Sequence, residues 1–197
     1  MSEREDKRMK RIIGSILFVA CLSLIVGMMP FQAACAATEK EIDASVDVAM
    51  ERFTREVKGA NEFLRAAKGI LILPKVVQAG FVVGGEYGEG ALRIGGKSVD
   101  YYNMVSGSFG WQIGAQQKDV ILVFMNDEAL QKFRTGENWQ AGVDGTVTLI
   151  KVGAEGSIDT TTIKQPIVGF VFGQKGLMAG VSLEGSKFTK LKRETKP

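Results

Sequence analysis

Two periods divide the chain. From Thr38 to Lys68, apolar residues return every three or four positions, at Val46, Met50, Phe53, Val57, Ala60, Leu64 and Ala67, and form one stripe. The other face carries Arg52, Arg55, Glu56, Lys58, Glu62 and Arg65. The spacing predicts one long helix over 38–68. Thr38 caps it, and Glu39, Glu41 and Asp43 suit its positive end. Its mixed charges fit a helix laid on a sheet better than a purely lipid-seeking segment, which would be richer in Lys and Arg.

From Gly69 the period becomes two. Val77, Ala79, Phe81 and Val83 alternate with Gln78, Gly80, Val82 and Gly84. Val105, Phe109, Trp111 and Ile113 alternate with small or polar residues, as do Val143, Val147 and Leu149, and Leu177, Ala179, Val181 and Leu183. Each reads as a strand with one large apolar face turned to the core, Trp111 with Phe109 and Ile113 among them. Val120–Met125 and Ile167–Phe172 are apolar on both faces and read as central strands. Asp127–Arg134 reads as a short helix capped by Asn126 or Asp127. Gly80, Gly84, Gly88 and Gly90 fall on the face opposite the large side chains. Repeated glycine in a strand needs a reason, either strong coiling of the sheet or close approach of another backbone or ligand. The expected fold is α+β. It is a strongly twisted, glycine-rich antiparallel sheet or partly closed barrel of about seven or eight strands. One long N-terminal helix and a short helix pack on it.

The first 36 residues have a different character. Lys7, Arg8, Lys10 and Arg11 precede an apolar run from Ile12 to Met29, and Ala34-Cys35-Ala36 offers a small-x-small cleavage site. This is the order of an export signal. It predicts cleavage near Ala36 and a periplasmic or envelope-associated mature protein. An uncleaved anchor, or lipidation at Cys21 or Cys35, are the alternatives. Removal of residues 1–36 leaves 20 basic against 19 acidic residues, so the mature chain is nearly neutral. The pI of 8.8 is therefore no nucleic-acid signature. The division is 1–36 signal, 37–188 folded domain and 189–197 basic tail.

Composition then narrows the chemistry. The chain has 197 residues, 24 of them glycine, and no histidine. That excludes a Ser-His-Asp triad, a Cys-His pair and a His-ligated zinc site. Both cysteines precede Ala36, so the body has no thiol nucleophile. Gly84-Gly85-Glu86-Tyr87-Gly88 lacks the Lys-Ser/Thr of a phosphate loop. The carboxylates Glu86, Glu89, Asp100, Asp119, Asp127, Asp144, Glu155, Asp159 and Glu184 form no catalytic motif, and each has an ordinary turn, cap or surface reading. The expectation is a non-enzymatic protein with no cofactor and no metal. An outer-membrane barrel is disfavoured, because the chain ends in a charged segment and its helix needs the apolar sheet face.

Four segments together resemble the SYLF domain, a lipid-binding module. They are Ala67-Lys68-Gly69-Ile70-Leu71-Ile72-Leu73-Pro74-Lys75 running on to Phe81, Gly107–Ala115 followed by Asp119–Val123, Ala141–Val147, and Lys175-Gly176-Leu177-Met178-Ala179-Gly180-Val181-Ser182-Leu183-Glu184-Gly185-Ser186. The resemblance covers roughly residues 60–188. It implies binding of anionic phospholipid (phosphoinositides in eukaryotic members) without catalysis. Actin is a partner in some eukaryotic members and is not expected for an exported chain. A protein partner of the envelope, held through the glycine-rich face, is the alternative.

For lipid headgroups the candidates are Arg65, Lys68, Lys75, Arg93, Lys97 and Lys118, joined in the tail by Lys190, Lys192 and Arg193. Arg65 and Lys68 would also suit the negative end of the helix without any ligand. The tail, with its local excess of positive charge, reads either as a membrane contact or as a solvated end.

Overall fold

The computed structural model describes residues 37–150, 164–173, 176–177 and 182–192, with the side chains of 79–83, 108–115 and 176–177 excepted. Residues 37–197 form one compact unit. The expected signal segment, Arg193, and part of the fourth SYLF-like segment lie outside the described residues.

The long helix is two helices. Helix α1 (Glu39–Glu56) starts in a full capping box: Thr38 Oγ1 accepts from the Glu41 amide, and the Glu41 carboxylate accepts from the Thr38 amide. It buries Ile42, Val46, Ala49 and Phe53. It ends at Val57, whose backbone is extended, and Gly59 takes φ 78 before α2 (Ala60–Ala66) begins. The apolar stripe runs through this break because Val57, Ala60 and Phe63 are also buried. Helical periodicity therefore hid a change of direction at the one glycine that permits it.

The expected strand 76–91 and its neighbours merge into two very long strands. β1 (Gly69–Ile94) and β2 (Lys97–Phe124) pair antiparallel from Gly69↔Phe124 to Ile94↔Lys97. They are joined by Gly95 and Gly96, both at positive φ (58° and 80°), as a two-residue hairpin turn of the right hand requires. Helix α3 (Asp127–Thr135) follows, with Asn126 Oδ1 accepting from the Ala129 amide. Short strands complete the sheet: β3 (Asn138–Gln140), β4 (Thr148–Leu149), β5 (Ile167–Gly173), β6 (Gly176–Leu177) and β7 (Lys187–Lys190). The main order is β3-β7-β2-β5-β4, with β1 on β2 and β6 on β5. One pair departs from the antiparallel expectation, as β4 runs parallel to β5. The predicted strand from Val143 is only Thr148–Leu149, and Val143 is solvent-exposed beside a turn.

β1 doubles back over itself. A Cβ on Gly90 would stand 1.9 Å from the Ile72 carbonyl oxygen, and one on Gly88 would stand 2.6 Å from Val76 Cγ2. A Cβ on Gly69 would lie 3.5 Å from Ile94 Cγ1. The two halves of the hairpin thus face each other, with Gly69, Leu71, Leu73 and Val76 of one half turned to the side of Gly88, Leu92 and Ile94 of the other, and glycine is what lets the backbones approach. The face reading of the strand pattern is corrected here. Val76, Leu92, Tyr102, Met104 and Ser106 point inward, while Val77, Tyr87 and Val105 are exposed. The glycine face is the inside of the curl. The large apolar face is the outside at every described end of it. Trp111, Phe109 and Ile113 belong to the stretch whose side chains lie outside the described residues.

Two cores flank the central strands. One joins α1 and α2 to Ile72, Ile121, Val123, Phe170 and Phe172, with Phe53 edge-on to Phe170 at 4.7 Å between ring centroids. The other lies inside the curl and under α3. There Phe133 stacks among Tyr102, Phe124, Trp139 and Phe188. β5 is buried throughout, as its two-sided apolar pattern required.

Candidate functional site

The eight described basic candidates separate by what holds them. Lys118 lies inside the curl at 4% exposure and donates to Glu86 Oε1 at 2.7 Å, with Glu86 at 7%. It is opposite Val76 on β1, whereas Glu86 sits on the other half of the hairpin, so the pair ties the two halves together. Arg93 is committed to Asp47 at 2.7 Å, and its Nε donates to Ser98 Oγ. This fixes α1 against the hairpin end, where Asp43 also accepts from Ser98 and Tyr101. Lys190 is paired with Asp100, which also accepts from Arg134 Nε at 3.1 Å. Lys190 closes strand β7, so the expected tail begins inside the sheet. Lys192 reaches Glu137 at 3.6 Å with both side chains in water, a contact of little energetic weight.

Four candidates remain exposed, and no ion pair among the described residues holds them: Arg65, Lys68, Lys75 and Lys97. Three share one end of the fold. Arg65 is in the last turn of α2, and the Lys68 amide donates to the Phe124 carbonyl at 2.8 Å as β1 begins. Because β1 doubles back, Ile94 returns against Gly69, and Lys97 is the cross-strand partner of Ile94. Lys75 stands apart. It lies in a register shift between Leu73 and Val76 and is the described non-glycine residue with positive φ, 52°. Asp119 holds that conformation: its Oδ1 accepts from the Lys75 amide at 2.8 Å, and its Oδ2 accepts from Arg52 at 2.7 Å. Arg52 also donates to the Gly173 carbonyl. A left-handed residue locked from three elements projects its side chain into solvent from a fixed place.

Sequence reasoning could not sort these cations, since pairing depends on partners 32 to 90 residues away, such as Glu86 for Lys118 and Asp100 for Lys190. It also passed over a cleft of about 220 Å³ beneath α3, lined by Ala129, Lys132, Trp139, Asp144 and Ile167. Among the described residues there is no cluster of three metal-ligating side chains, and no helix is long and apolar enough to cross a membrane.

The family model described as "Ysc84: Las17-binding protein actin regulator" matches residues 105–196, from the outer half of β2 to the tail. Residues 105–196 of the chain are similar to the Ysc84, or SYLF, family. The SH3 domain-containing YSC84-like protein 1 of Homo sapiens is 33% identical over 128 residues, and that of Rattus norvegicus is 31% identical over the same length. In both, the match covers 61% of this chain and 36% of the relative. The chain therefore spans about a third of the length of the relatives it matches.

Proposed function

We propose that this protein is a non-enzymatic binder of anionic phospholipid at a bacterial cell envelope, reached by export and cleavage near Ala36. The observation that supports this reading is the sorting of the basic residues. Among the described residues, Arg65, Lys68, Lys75 and Lys97 stay exposed with no carboxylate partner, while other candidates are spent inside the fold. A free cation keeps its full attraction for a negative surface, about 1 kcal/mol each near a bilayer. A paired one has already traded it for a carboxylate. The matched relatives carry an SH3 domain in name and are much longer, so partners of that kind are not transferred to this chain.

Co-sedimentation of residues 37–197 with vesicles of graded anionic content tests the reading. Binding should rise with anionic lipid and fall with salt. Changing the four residues to Gln together should weaken it by up to about a thousandfold at low salt, and by less at physiological salt. Binding that ignores both headgroup charge and salt would overturn the proposal. Retention of envelope proteins after lipid removal would favour the alternative of a protein partner.

A further inference from the structure

Four buried polar residues meet at one level inside the curl. Glu86 on β1 is the cross-strand partner of Ser106 on β2. β7 pairs with β2 as far as Lys187↔Val105 and with β3 as far as Lys187↔Gln140, and the carbonyl of the next residue, Ser186, still accepts from the Ala141 amide. Phe188 and its partner Met104 are both buried, so Ser186 and Ser106, two residues along each strand, fall on the same inner face. Lys118 reaches this level from the other half of the hairpin through its bond to Glu86. Ser106 at 8% exposure and Ser186 at 0% are as closed off as the ion pair. The neighbouring rung, Gly88, Met104, Phe188 and Trp139, carries no charge.

The polar level is under-bonded. Among the described residues, Glu86 Oε2 and Ser186 Oγ have no hydrogen-bond partner. Ser106 Oγ donates to the adjacent Gly107 carbonyl at 3.4 Å, longer than a good O–H···O bond. Lys118 Nζ carries three donors, and Glu86 Oε1 takes one of them. Buried polar groups are ordinarily bonded, so this cluster points to an occupant. Solvent lies close by. Toward the bend where β1 doubles back, the next rung on the face of Val76 and Lys118 is Gln78↔Gln116, with Gln78 half-buried and Gln116 exposed.

We propose that this level binds a neutral polyhydroxyl group, which enters past Gln78 and Gln116. Glu86 and Lys118 cancel, so a charged ligand would bring a buried charge with no counterpart. The bonding needs are mixed: Glu86 Oε2 needs a donor, Lys118 needs acceptors, and the two serines take either. A hydroxyl supplies both from one atom. The groups stand on three adjacent strands spaced about 4.8 Å apart, so a row of hydroxyls serves them where a single one cannot. Glycerol, with three hydroxyls on three carbons, has that form. The same chemistry occurs free in solution and as the headgroup of phosphatidylglycerol. The inference stands without the lipid reading, and a lipid source would join the two.

Saturation-transfer NMR on the full-length chain tests the site. Glycerol and glucose are the probes, and 1-propanol is the three-carbon control with one hydroxyl. Glycerol should give a saturable signal, about tenfold tighter than 1-propanol or better, and glycerol phosphate should bind no better than glycerol. Ser186→Ala removes a hydroxyl that bonds to none of the described residues, so the melt should hold while glycerol binding weakens about tenfold. Ser106→Ala should act in the same way, and it decides the matter should Ser186→Ala fail to fold. Vesicles of phosphatidylglycerol and of phosphatidic acid, at equal surface charge, separate the sources. A preference for the glycerol headgroup that is lost in Ser186→Ala assigns the site to lipid, and a response to free glycerol alone assigns it to a soluble polyol. No saturable signal from either polyol, with equal binding of both vesicles, would mean that water alone fills the level. That result would overturn the site and leave the lipid reading standing. Glycerol binding unchanged in both serine variants would overturn it as well. Glycerol held by a chain that binds neither vesicle would keep the site and overturn the lipid reading.

Discussion

Lys118 Nζ and Glu86 Oε1 stand 2.7 Å apart, almost wholly out of solvent, and join residues on opposite halves of one folded hairpin. Glu86 Oε2 has no hydrogen-bond partner. An ion pair so placed contributes little net stability against a well-packed apolar pair, but removing one member leaves a buried charge. Lys118→Met should therefore destabilise the domain by about 3–5 kcal/mol in denaturant titration. Lys118→Met with Glu86→Leu should recover most of that loss. A single variant as stable as its parent would show that the pair is open to water.

The crossing of β1 over itself makes two kinds of glycine distinguishable by melting. Gly90→Ala drives a methyl into the Ile72 carbonyl, which cannot swing aside as a side chain can. A loss of 1–3 kcal/mol or more is expected. Gly107→Ala meets nothing within 4 Å, and Gly85→Ala meets only one atom, at 3.8 Å. Both should melt within a degree or two of the parent. Equal sensitivity at all three positions would count against the doubled-back strand.

Asp100 gathers Arg134 of α3 and Lys190 of β7. Lys190→Gln should cost stability, about 1 kcal/mol, with vesicle affinity almost unchanged. Lys192→Gln should change neither, given its exposed contact. A variant of Lys190, Lys192 and Arg193 that binds vesicles poorly yet melts normally would return the tail to the binding surface.

Tyr102 carries a buried hydroxyl with no hydrogen-bond partner, and burial, with the nearby Asp100 charge, pushes its pKa up to about 12. Its folded pKa lies above the ordinary value of 10.0, so its contribution is complete below pH 10 and is lost as pH rises toward 12. Tyr102→Phe should leave stability at pH 7 equal or slightly higher, since no bond is broken. It should also flatten the alkaline limb of the stability profile. A clear loss of stability at neutral pH would mean that the hydroxyl has a partner.

Much of this was readable from residues alone. The capping box at Thr38, the cap at Asn126, the two-sided burial of β5 and the change of period at Gly69 each depend on neighbours a few positions away, and sequence displays such neighbours directly. What it concealed depends on distant chain segments. Period two marks two faces of a strand but not which one is inward. Glycine's small side chain made the even face look weak, although a strand that packs on itself needs that face inside. The helix break was hidden because Val57 and Ala60 keep the stripe on either side of Gly59. Among the described cations, local sequence could not show that Lys118, Arg93 and Lys190 have carboxylate partners and that Arg65, Lys68, Lys75 and Lys97 have none among the described residues.

The turn at Gly95 and Gly96 also sets an order of events in folding. Gly69 and Phe124 are partners at the open end of the hairpin, and closing that large loop directly costs about 3 kcal/mol more entropy than closing a two-residue turn. Loop-closure entropy therefore favours pairing that starts at the turn and zips outward, each rung shortening the loop left to close. The doubling of β1 cannot begin until rungs exist on both sides of the bend, because Ile72 and Val76 need Gly90 and Gly88 already presented on a strand. A lesion at the turn accordingly acts on the folding rate, whereas one at the crossing acts on the unfolding rate.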